Sequence, residues 1–142
     1  MKLSRVLRAD FDSVLKFWSE NDGVGTRGFE SLGQLDAFLN RNPGLSFKIT
    51  DGDEIVGTIM CGHDGRRGYV HHLVVKKDYP TLAIGKTLID RGLKELRAVG
   101  IAKCHIFIAA DNAGCVEFWR SIAWDESGDL KLFSHDIEYP AT

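Results

Sequence analysis

The chain has 142 residues, 44% of them hydrophobic and 27% charged, the balance of an ordinary globular protein and a length suited to one domain over 1–142. Eighteen basic against twenty acidic residues leave a formal charge of -2, so no overall field favours nucleic acid or an anionic membrane surface, and any anion site must be local. The longest apolar runs, 73–75 and 106–110, are far short of the roughly 20 residues a membrane span needs, and Asp10 and Asp12 break any signal-peptide core behind Lys2, Arg5 and Arg8.

These exclusions point to the cytoplasm. Cys61, Cys104 and Cys115 lack C-x-x-C spacing, which argues against a zinc ribbon or a disulfide framework and reads as buried thiols, with no metal site expected.

Residues 3–8 alternate weakly as a short strand, and Asp10 stands where it can cap a helix with Val14, Leu15, Phe17 and Trp18 on its apolar side. A Gly-rich loop over 21–28 leads to a second helix over 31–41, closed by Asn42, Pro43 and Gly44. Residues 45–50 and 55–61 are β-rich and flank Asp51-Gly52-Asp53, a hairpin signal because glycine tolerates positive φ. A turn over 64–68 leads into a central strand, 69–75.

Apolar residues at three- and four-residue steps from Ile84 through Leu88, Ile89, Leu93 and Leu96 to Val99 predict a helix over 84–99, stopped by Gly100. Strand 102–110, a short helix from Asp111-Asn112 to 121, and a last strand over 130–137 complete the reading. A strand–helix–strand unit inside a hairpin-rich sheet predicts an α/β fold with a mixed sheet and helices on both faces.

Between strand 69–75 and a helix opening near Ile84-Gly85-Lys86, unpaired N–H groups and the helix dipole can hold a diphosphate, with Lys77 and Lys86 adding charge. Taken alone, one glycine at such a junction can equally just tighten a turn. The stretch GTIMCGHDGRRGYVHHLVVKKDYPTLAIGKTLI over 57–89, however, resembles the central segment of the GNAT acetyltransferases, most closely the small bacterial members. Leu73, Val74 and Val75 match the family's L-x-V, residues 80–85 occupy its Q/R-x-x-G-x-G/A loop, and Asn112, Phe118-Trp119 and Ala123-Trp124 echo its next motif.

The resemblance implies a mixed, mostly antiparallel sheet of roughly six to seven strands that splays after the fourth and admits acetyl-coenzyme A. Backbone at Leu73, Val74 and Val75 would bond the thioester and pantetheine arm. The N–H groups of Thr81, Leu82, Ala83, Ile84 and Gly85 would cradle the pyrophosphate beside Lys86. Asn112 would meet the cofactor or, equally, cap the helix that follows it.

Three positions depart from the pattern. Pro80 replaces Gln or Arg and lacks an N–H, Ala83 replaces a glycine and is strained if φ is positive there, and Trp119 stands where many members place a Tyr that protonates the departing thiolate. Indole has a hydrogen-bond donor but no proton to release near neutral pH, and core packing is the other reading of Trp119.

Amine attack on a thioester needs a base, and His71, two residues before Leu73, is the candidate, with Tyr69 on the same face. Strand alternation sends His72 to the opposite face. Charges at His63, Asp64, Arg66 and Arg67 can bind an acidic substrate or simply form a solvated turn, and Asp22, Arg27 and Glu30 lie where the family shapes its acceptor pocket. His105 and His135 read as structural or surface residues.

Cys104 and Cys115 have no activating context, so acetyl transfer to a small-molecule or protein amine by direct attack is expected, with strand N–H groups meeting the oxyanion. The alternative is a domain that retains the fold and binds coenzyme A or a partner without significant catalysis. Dimers are common in the family, so a homodimer is left open.

Overall fold

Five strands pair in chain order: β1 (Lys2–Arg5), β2 (Ser46–Asp51), β3 (Glu54–His63), β4 (Gly68–Val75) and β5 (Cys104–Ile106). The first four are antiparallel neighbours, and β5 runs parallel to β4. A parallel neighbour requires a crossover, supplied by helix α3 (Thr81–Ala98). Helices α1 (Phe11–Asn21), α2 (Leu32–Arg41) and α4 (Ala113–Ser121), with a short 3-10 turn at Arg8–Asp10, complete the regular structure among the described residues.

This computed structural model describes residues 1–21 and 31–137, so the loop residues Asp22, Arg27 and Glu30 lie outside the described residues. The backbone separates into two units, Met1–Ala109 with the sheet and α1 to α3, and Ala110–Thr142 with α4. Among the described residues no helix is long and apolar enough to cross a membrane.

Strand β3 shows how the sequence builds two layers around the sheet, because its successive side chains face opposite sides. On one side Gly57, Ile59 and Cys61 meet α3: a Cβ on Gly57 would stand 2.9 Å from Ile84, and one on Gly92 would stand 2.7 Å from the Cys61 sulfur. Glycine at these points lets helix and strand approach within contact distance. On the other side Thr58 bonds Trp18 of α1, and Met60 joins a buried cluster with Val14, Phe17, Trp18 and Leu35. The expected helices on both faces are therefore present.

Local signals act as the sequence requires. Ser31 caps α2 by accepting the Gln34 N–H at 3.2 Å. Gly52 turns the β2–β3 hairpin at φ 63°. Gly100, at φ 90°, closes α3 with paired bonds, Ile101 N–H to Leu96 and Gly100 N–H to Arg97, the arrangement that satisfies the last carbonyls of a helix.

The strand expected over 130–137 is not formed. Leu130, Leu132, Phe133 and Ile137 are 67 to 91% exposed, and the alternation breaks where Phe133 directly follows Leu132, so no continuous apolar face exists to be buried. Five strands, rather than six to seven, make up the sheet among the described residues.

Candidate active site

The register between β3 and β4 breaks at one place. Thr58 lies opposite Val74 and Met60 opposite His71, so the single residue Ile59 faces both His72 and Leu73. This is a β-bulge on β4, and His72 adopts φ 48°, a left-handed conformation that in a non-glycine residue stores about 1–3 kcal/mol.

The bulge changes which way the side chains point. His71 packs edge-on to Phe38 of α2, with ring centroids 5.4 Å apart, and His72 stacks on Trp18 of α1 at 4.2 Å. Both histidines therefore face the α1–α2 side, and the expected alternation between them is corrected by the extra residue.

The bulge adjoins an opening in the sheet. Strand β5 pairs with β4 only at Gly68, Tyr69 and Val70, so among the described residues the β4 edge from 71 to 75 has no strand neighbour on that side. Backbone polar groups of Leu73, Val74 and Val75 thus lie on the part of β4 beyond the end of the β5 pairing.

Rings gather on the α1–α2 side of this gap. Tyr69 lies in a near-parallel row with His71 at 6.3 Å and Phe107 at 6.1 Å, and His105 approaches it at 5.9 Å. Burial pushes the His71 imidazole below its ordinary value of 6.5. The neutral, proton-accepting form therefore dominates at neutral pH.

Sequence reasoning assigned His105 to structure or surface far from the matched motifs. The parallel register places His105 opposite Tyr69, a long-range pairing that no local pattern signals. Trp18 and Thr58 likewise had no motif to mark them.

The first turn of α3 lies after β4 and the loop 76–80. The helix starts at Thr81, three residues earlier than its apolar periodicity suggests, and Pro80 occupies the cap position with no side-chain hydrogen bond. Ile84 donates its N–H to the Pro80 carbonyl at 3.0 Å and is buried with Gly85, so both lie inside the helix ladder. The outward donors are Thr81, Leu82 and Ala83, a correction from the five-residue cradle. Ala83 is exposed and has ordinary negative φ, so the strain expected there is absent, while Lys86 faces solvent one turn on.

In the second unit, Asn112 caps α4: its side-chain oxygen accepts the Cys115 N–H at 3.1 Å. That is the structural use weighed beside a cofactor contact. Trp119 is 6% exposed and packs against Trp124 at 4.5 Å and Phe118 at 5.4 Å, which is core packing by an aromatic side chain. Ala123 ends α4 at φ 67°, with Trp124 N–H bonded to Trp119 and Ala123 N–H to Arg120.

Burial raises the Cys61 thiol far above its usual range and pushes Cys104 to about 11, so neither forms a thiolate nucleophile near neutral pH. A covalent route through these two sulfurs is disfavoured.

The family model described as "Acetyltransferase (GNAT) family" matches residues 11–124. An acetyltransferase of Pectobacterium atrosepticum is 30% identical over 135 residues, covering 94% of this chain and 95% of that protein. One of Sodalis glossinidius is also 30% identical, covering 95% and 98%. Among solved structures, the PaiA N-acetyltransferase of Thermoplasma acidophilum in complex with coenzyme A superposes with a TM-score of 0.73 at 17% identity, covering 89% of this chain and 92% of that one, a likeness of fold. The family model over most of the chain and the relatives matched over nearly its whole length identify the chain as a member of the GNAT acetyltransferase family.

Proposed function

We propose that this protein transfers an acetyl group from acetyl-coenzyme A to a primary amine by direct attack. The observation that carries the reading is the β4 bulge at His72 and Leu73, set beside the unpaired β4 edge with half-buried His71 two residues before Leu73. Bound there, acetyl-coenzyme A supplies an activated acyl group.

The chain's own residues have separable tasks in this reading. Backbone groups of Leu73, Val74 and Val75 orient the donor along the gap and present N–H donors to charge that develops on the acyl oxygen. The N–H groups of Thr81, Leu82 and Ala83, at the positive end of α3, hold the diphosphate. His71 takes a proton from the attacking ammonium or amine at an imidazole nitrogen, and Tyr69 and Phe107 wall the acceptor side. Trp119 has no proton to give a departing thiolate, so solvent supplies it.

The loss of Tyr at Trp119 and the burial of that indole favour one second reading, a domain that binds coenzyme A or a partner without significant turnover. One experiment separates the two. Calorimetric titration with acetyl-coenzyme A is followed by thiol release in the presence of a diamine, an arylethylamine and an unblocked peptide. Micromolar binding with amine-dependent release supports the transferase; micromolar binding without release supports the second reading. No binding at millimolar acetyl-coenzyme A overturns the transferase and leaves only the partner-binding form of the second reading.

A further inference from the structure

Thr58 is a rare residue in this fold, a polar side chain with no exposed surface, on β3 directly beside the place where the register breaks. Its hydroxyl has two partners. The indole Nε1–H of Trp18 donates to Thr58 Oγ1 at 2.8 Å, and Oγ1 in turn donates to the backbone carbonyl of His72 at 3.4 Å. An indole nitrogen only donates, so the threonine oxygen must accept that bond, which leaves its single O–H for the His72 carbonyl. The direction of the relay is fixed by chemistry.

The same indole also covers the His72 ring, with planes 16° apart. His72 is thus held at both ends, its carbonyl through Thr58 and its imidazole by Trp18 directly. It is also the residue that holds φ 48°. A left-handed conformation in a non-glycine residue persists only where its surroundings over-determine it. The Trp18–Thr58 pair supplies part of that restraint, through the carbonyl and the ring of His72 at once.

We propose that Trp18 and Thr58 are positioning residues for acetyl transfer: through His72 they hold the β4 bulge in the shape that aims the Leu73 backbone at the reacting group. This rests on the transferase reading above. Neither residue touches substrate in this proposal. Their effect is on the aim of donors that stabilise charge only in the transition state, and such a loss appears in kcat rather than in donor binding.

The test uses the full-length protein, acetyl-coenzyme A and whichever amine of the panel gives the fastest thiol release. Thr58→Val keeps the shape and removes the hydroxyl; Thr58→Ser keeps the hydroxyl. The expected result is a fall in kcat of about tenfold or more for Thr58→Val, with KM for acetyl-coenzyme A changed less than about twofold, and recovery in Thr58→Ser. In the same variants, amide exchange at Leu73 and Val74 speeds up in Thr58→Val and returns towards the original rate in Thr58→Ser. A residue that only supported stability would lower the melting temperature and leave kcat per folded molecule unchanged.

Should Thr58→Val fail to fold, Trp18→Phe keeps an aromatic ring against His72 and removes the N–H together with one ring of the indole, and the same fall in kcat at constant KM is expected. An unchanged kcat in a folded variant overturns the positioning role while leaving the transferase reading intact. A wild-type protein that releases no thiol with any amine overturns both.

Discussion

His71 meets Phe38 edge to face, their ring planes at 89° and their centroids 5.4 Å apart. The contact takes one side of the imidazole out of water, and burial is what pushes its proton affinity below the ordinary value of 6.5. The acid limb of kcat/KM is therefore expected below pH 6.5, because only the neutral ring accepts a proton. His71→Gln should lower kcat by roughly 10²-fold and flatten that limb, as a pH–rate series would show.

The same shift makes a statement about stability. The folded state binds this proton less readily than the unfolded chain, so the His71 contribution is fully present above pH 6.5 and is lost as pH falls below it towards the depressed folded value. Urea midpoints measured across that window should decline towards acid in the wild type and decline less in His71→Gln.

The uncapped start of α3 gives stability and binding opposite signs. Pro80→Asp would put a carboxylate against the donors of Leu82 and Ala83, stabilising the helix by about 1 kcal/mol. The same carboxylate would occupy and repel the diphosphate site. A higher melting temperature together with acetyl-coenzyme A binding weakened by about tenfold or more is expected, since a charge-assisted bond is worth about 1.5–3 kcal/mol. Tighter binding in this variant would show that the diphosphate lies elsewhere.

Ala123 carries the left-handed turn that ends α4, at φ 67°. A Cβ in that conformation is disfavoured by about 1–2 kcal/mol. Ala123→Gly should therefore raise stability by about 1 kcal/mol, read as a higher denaturant midpoint at constant slope. The gain is unusual in that deleting a methyl group stabilises.

Where Gly92 of α3 presses on Cys61 of β3, an added Cβ would stand 2.7 Å from the sulfur. Gly92→Ala is expected to destabilise by about 1–3 kcal/mol through overpacking. Combining it with Cys61→Ala removes the clashing atom, so the double variant should be more stable than the sum of the two single losses predicts, a coupling that a mutant cycle measures.

Much of this architecture was legible from local chemistry. The Gly52 hairpin, the Ser31 start, the Gly100 stop and the buried stripe of α3 each rest on neighbours within a turn or two. The failures share a physical cause. Apolar periodicity marks only residues that are buried, so the exposed first turn Thr81, Leu82 and Ala83 left no trace. Period-two reading assumes one residue opposite one, so it could not show that Ile59 faces two residues or that His71 and His72 share a side. His105 comes beside Tyr69 through a parallel pairing across α3, which is a property of topology rather than of its own segment.

Strand β4 changes status halfway along its length: among the described residues it has strand neighbours on both sides at Tyr69 and on one side by Val75. Edge backbone can act as a template for another chain, and proteins ordinarily blunt it with charge, proline or a cover. Here the stretch His71-His72-Leu73-Val74-Val75 carries neither acid, Lys nor proline. A molecule lying in the gap is then also a stopper against edge-to-edge association. The protein should stay dispersed at high concentration when the groove is filled and tend to self-associate when it is empty, so that keeping the groove loaded becomes a matter of solubility as well as of chemistry.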